Sequence, residues 1–187
     1  MTTGDCFIMI GSSQAKPMTM YKINSVREDK IDAFSILIKK EQIMGWDFPD
    51  VYDNDIPEEA IWLPQDTYAV VKQQMEDFYV KSRKLILKNL VDSDFEIEIG
   101  RRYFYRSIHT VTKIEENRVY YDLFRIDTEN ISPCWTGNEQ ADAIQDRWRP
   151  IKDGLYEELL RRYRIFVAQL QERLFALAIN RSGTFGQ

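Results

Sequence analysis

The chain has 187 residues, a formal net charge of −5, 44% hydrophobic and 29% charged residues. That composition suits a single core-forming domain and excludes compositional disorder. With 8 Gly and 6 Pro it also excludes collagen-like and glycine-rich repeat structures. No apolar run approaches the roughly 20 residues of a membrane-spanning helix, so no membrane association is expected.

In chain order, residues 6–10 (CFIMI) read as a short buried strand and residues 18–23 as a second. Ser25 and Glu28 have capping-box spacing ahead of Ile31, Phe34, Ile36, Leu37, Ile38 and Ile43, which predicts a helix from about Val26 to Met44, stopped by Gly45. An acidic, proline-bearing loop follows over residues 46–61. Pro64 then opens a predicted helix over 65–90, with Tyr68, Val71, Met75, Phe78, Ile86 and Leu90 on its apolar stripe.

Phe95, Ile97 and Ile99 alternate with acids, and residues 103–114 and 119–126 are rich in aromatic and β-branched residues. This predicts a three-stranded antiparallel meander over about 94–126. Residues 128–145 are expected to be irregular around Pro133 and Gly137. A final helix is expected from residue 153 or 154 to about 180, with stripes wide enough to bury two sides. No internal repeat is evident. The expected fold is α+β: one domain over 1–187, helix-rich over 1–92, a β-meander over 93–150 and a terminal helix over 151–181. The meander, joined by the N-terminal strands, would pack with three long helices.

Several chemistries lack their residues. One histidine (His109) and two cysteines (Cys6 and Cys134) cannot supply an ordinary zinc site, and no cofactor, metal or catalytic set is expected. The segment Gly11–Pro17 follows a strand as a phosphate loop would, but Ala15 and Pro17 replace its second glycine and its hydroxyl. Asp47, Asp50, Asp53, Asp55, Glu58 and Glu59 lack calcium-loop spacing and read as a solvated acidic loop. Pro49-Asp50 resembles half of a nuclease pattern whose Glu-x-Lys partner is missing. The opening MTTGDCFIMIG carries no basic region of a secretory leader, and two distant cysteines are no disulfide framework, so a cytoplasmic location is expected.

Charge is unevenly spread. Residues 1–100 sum to −7 and residues 101–187 to +2, and of 14 arginines only Arg27 and Arg83 precede position 100. Cations and aromatics interleave at Arg102, Tyr103, Tyr105 and Arg106, and again at Arg147, Trp148 and Arg149. Tyr, Trp and Arg dominate protein–protein hot spots, and the same residues stack on unpaired bases. The acidic whole favours a protein partner over single-stranded RNA. A thiol enzyme pairing Cys134 with His109 is the remaining alternative. Self-association through the terminal helix is expected if its second apolar side lacks an internal mate.

Overall fold

A computed structural model of the chain describes residues 1–11, 17–28, 30–39, 42–52, 56–92 and 94–182; of residues 46–52, 134, 181 and 182 it describes the backbone alone. Four strands come first: β1 (Cys6–Ile10), β2 (Met18–Arg27), β3 (Lys30–Lys39) and β4 (Gln42–Tyr52). A short strand β5 (Ile61–Leu63) and helix α1 (Thr67–Lys88) follow. The second part runs β6 (Arg102–Tyr105), β7 (Ser107–Glu115), β8 (Arg118–Ile126), β9 (Asn130–Gln140), a short helix α2 (Ala141–Gln145), β10 (Arg149–Pro150) and α3 (Leu155–Ser182). Among the described residues, these ten strands form one antiparallel sheet, ordered β10-β6-β7-β8-β9-β4-β3-β2-β1-β5.

This overturns the expectation of a three-stranded meander packed with three long helices, and of a helix-rich part over 1–92. Residues 26–27, 30–39 and 42–44 belong to the strands β2, β3 and β4. Both faces of β3 are covered: Ile31 and Ala33 point to one side, Ile36 and Ile38 to the other. A strand buried on both faces reads as an almost unbroken apolar run, which mimics a helical stripe. Ile-rich segments are stiff at χ1 and fit a pleated surface, and pairing with β2 and β4 settles the conformation. The supposed capping-box acid Glu28 instead turns the β2–β3 hairpin with φ 50°. Residues 94–99 form no strand, and residues 130–140, expected to be irregular, do. Pro133 is tolerated because it lies where the β8–β9 register shifts. Gly137 is required because a Cβ there would stand 2.7 Å from the ring of Tyr121. The first strand, the 22-residue α1 and the 28-residue α3 agree with the sequence reading.

The chain also carries an internal repeat that its sequence hides. In each half four strands meander, a short strand returns to pair with the first of them, and a long helix follows. An offset of 88 residues, set by Glu28 and Glu116, aligns β4 with β9 and the start of α1 with the start of α3. Both glutamates open a hairpin turn at φ 50°. Both hairpins bulge at the same step, between Ile23 and Ser25 and between Val111 and Lys113. Across residues 18–88 and 106–176 only seven pairs are identical: Glu28/Glu116, Ile38/Ile126, Glu41/Glu129, Ile43/Ile131, Ile56/Ile144, Tyr68/Tyr156 and Phe78/Phe166. Burial repeats far better than identity. Met20, Ile23, Ile31, Ile36, Ile38, Leu63, Val71, Met75 and Ile86 are buried, and so is the counterpart of each.

The halves meet in a pseudo-two-fold. Ile43 on β4 pairs with its own counterpart Ile131 on β9. The two helices cover one sheet face as a single apolar cluster that includes Ile43, Val71, Met75, Ile131, Leu159 and Tyr163. Phe78 and Phe166, also counterparts, stack with centroids 4.8 Å apart and 17° between planes. The opposite face holds two smaller clusters, one per half: Phe7, Ile23 and Ile31 in the first, Tyr103, Val111, Val119, Tyr121, Ile144 and Trp148 in the second.

Ile131→Ala opens a cavity at the junction of the halves and is expected to cost about 2–5 kcal/mol in urea unfolding. Glu116→Gly relieves a left-handed backbone and is expected to stabilise by roughly 1 kcal/mol in the same measurement.

The arginine-aromatic corner as candidate functional site

Strands β6 and β7 are joined by one residue, Arg106, whose φ of 59° lets the chain reverse between Tyr105 and Ser107. Strand alternation then sends neighbouring side chains to opposite faces. The return of β10, pairing Arg149 with Phe104 and Pro150 with Tyr103, brings residues 147–149 beside 102–106. The two arginine-aromatic segments of the sequence are therefore adjacent in space. They do not form one displayed surface, because the pleat and the core divide them three ways.

Tyr103 and Trp148 are core residues, both 0% exposed. Their rings lie 5.5 Å apart, and Trp148 also meets His109 at 4.3 Å and Tyr121 at 5.2 Å. The Tyr103 hydroxyl accepts from the Glu98 backbone N–H and donates to the Glu96 carbonyl, each at 3.0 Å. It thereby clamps the extended segment 94–98 over the cage without any strand pairing, while the Gln145 amide donates to the Phe95 carbonyl at 3.1 Å. Phe95 and Ile97 pack against this cluster. Burial raises the ionisation of Tyr103 and pushes that of Tyr121 up to about 12, with Glu139 adding to the latter.

Arg102 belongs to the helix side. Its Nη1 reaches Glu157 of α3 at 2.6 Å, and its guanidinium lies 4.4 Å from the centre of the Tyr156 ring. Only the third group remains at the surface. The half-buried Tyr105 ring has the Arg106 guanidinium 5.4 Å from its centre and that of Arg147 5.1 Å from it. Arg147 is ion-paired with Glu139, which also accepts from the Tyr121 hydroxyl at 3.2 Å. Arg149 is exposed and donates to the Trp148 carbonyl at 3.0 Å. Arg106 is exposed, with no ion pair among the described residues. Glu139 was missed in the sequence; its only signal is the register position opposite Val119 on β9.

His109 is 5% exposed and walled by Trp148 and Tyr121. Burial holds its imidazole neutral, lowering its pKa to about 4. Cys6 lies in the helix-side cluster on the other face of the sheet, its thiol pushed up to about 12 by burial. The Cys134 side chain, residues 12–16 of the phosphate-loop candidate, and Asp53 and Asp55 lie outside the described residues; of Asp47 and Asp50 only the backbone is described. Among the described residues no group of three or more His, Cys, Asp or Glu side chains is placed to hold a metal ion. No helix there is long and apolar enough to cross a membrane.

Compared with protein-family models, curated proteins and solved structures, the chain shows no match to any of them.

A neutral buried histidine makes stability depend on pH. The unfolded chain takes up a proton near the ordinary imidazole value of 6.5 and the folded chain only near 4, so His109 protonation costs little above pH 6.5 and destabilises increasingly as pH falls toward 4. The expected loss across that window is roughly 3 kcal/mol. Denaturant unfolding at pH 7 and pH 4.5 checks this, and His109→Phe should flatten most of the slope.

Proposed function

We propose that the protein is a non-catalytic cytoplasmic binding protein that engages a protein partner through Tyr105, Arg106, Arg147 and Arg149. The observation that carries this reading is the Tyr105 ring with two guanidinium groups within 5.4 Å of its centre, that of Arg106 exposed and without a carboxylate among the described residues. An arginine lying over an aromatic ring keeps the N–H donors of its own plane free to bond outward and loses little side-chain freedom when it meets a carboxylate. A fixed aromatic with arginines around it is the composition of an interface hot spot. The matching partner surface offers carboxylates to Arg106 and Arg149 and an apolar or planar group to Tyr105. Arg102, Tyr103 and Trp148 support that surface from behind and make none of its contacts.

Arg106→Ala combined with Tyr105→Ala is expected to weaken capture of the partner from native lysate at least tenfold, the size of an ordinary hot-spot loss. Tyr105 packs against the interior aromatic cluster, so the double variant should melt several degrees lower, whereas Arg106→Ala alone should leave the melting temperature within about 2 °C and still weaken capture. Arg102→Ala should do the reverse, lowering stability and sparing capture. A captured species that disappears on nuclease treatment, with affinity falling steeply in moderate salt, would replace the protein partner by single-stranded RNA.

A further inference from the structure

The repeat makes one groove conspicuous. Where α1 and α3 cross on the outer side of the helix layer, a groove of about 420 Å³ opens between them. It lies on the pseudo-two-fold, and its floor is the stacked pair Phe78 and Phe166. Volumes of a few hundred Å³ with an aromatic floor and a few converging polar groups are those of small-molecule sites.

Symmetry predicts equal chemistry on the two walls, and the walls differ. Gln74 on α1 is matched by Arg162 on α3, and Lys81 on α1 by Gln169 on α3. At these two positions each wall has a cation where its twin has glutamine, and Arg161 adds a second cation on α3 where α1 has Gln73. Arg161 and Arg162 both reach the single carboxylate of Glu158, at 2.8 Å and 2.6 Å. Lys81 makes no ion pair among the described residues. Lys81, Arg161 and Arg162 therefore outnumber the carboxylates of Asp77 and Glu158, leaving the groove cationic. The Gln74 side-chain oxygen is buried beside the floor with no hydrogen-bond donor. An unmet buried acceptor is unfavourable until a donor arrives.

We propose that this groove binds a small planar organic anion: an aromatic ring that carries one sulfonate, phosphate or carboxylate and an N–H or O–H donor. The anion sits with Lys81 and Arg162, the ring lies against Phe78 and Phe166, and the donor meets Gln74. This site shares no residue with the Tyr105 corner and stands independently of the partner proposed there.

The test uses the full chain and 1-anilinonaphthalene-8-sulfonate, which has a ring system, one anionic group and one N–H donor. Dye fluorescence should saturate at one site per chain. Lys81→Gln with Arg162→Gln places in each wall the residue that its twin already carries, so the fold should tolerate the pair. That double variant should bind the dye at least tenfold more weakly at an unchanged melting temperature. Gln74→Leu should raise the melting temperature and still weaken dye binding. The uncharged 1-anilinonaphthalene should bind wild type and double variant alike. Equal dye affinity in wild type and both variants would overturn the proposal, as would the lack of a saturable site or displacement of the dye by equimolar inorganic sulfate.

Discussion

The fold depends on one short contact, the pairing of Ile43 with Ile131 where the fourth strands of the two repeats meet. Gly45 extends it, donating its N–H to the Glu129 carbonyl at 2.9 Å. Through this junction two four-stranded meanders become one sheet, and two separate apolar faces become one continuous face. Neither helix alone covers that face. The pairing thus creates the surface that α1 and α3 bury together, and the stacking of Phe78 on Phe166 is the other end of the same axis. Backbone pairing of this kind leaves no room for slippage, because a shift by one residue would turn every buried isoleucine of one half to the wrong face.

The two repeats keep their burial pattern while their chemistry diverges. On the face away from the helices the first half packs Phe7 on Tyr21 with centroids 4.8 Å apart. The second half puts Tyr103 and His109 at the corresponding places and fills the position of Ala60 with Trp148. The larger tryptophan builds the aromatic cage, and the cage fixes Tyr105 and Arg147 outside it. Arginines that look alike in sequence thereby acquire different tasks: Arg102 joins α3 to the sheet edge, Arg147 ties β9 to the corner, and Arg106 remains for an external carboxylate. The helix-crossing groove shows the same divergence, with glutamine and cation exchanged between its walls.

Much of this was legible in the residues. The strand at Cys6–Ile10, helices α1 and α3, and the hairpin turning at Glu116-Asn117 follow from apolar period, Pro64 and turn chemistry, all of them local signals. The adjacency of the two arginine-aromatic segments could be suspected from their composition. The strand character of β3 could not, because covering both of its faces removes the alternation that marks a strand. Nor could the repeat: burial recurs every 88 residues, but at most of the buried positions the two halves use different apolar residues of compatible size, so identity falls to seven pairs.

By itself the sequence determined a single core-forming chain, two long amphipathic helices, and a second half richer in arginine, because composition and helical period are properties of neighbouring residues. Only the tertiary structure decided which arginines face outward, that Tyr103 and Trp148 are interior, and that the two halves are one unit used twice. Those outcomes rest on strand pairing between residues far apart in the chain. The free energy of such pairing comes from faces that exist only once the sheet has formed.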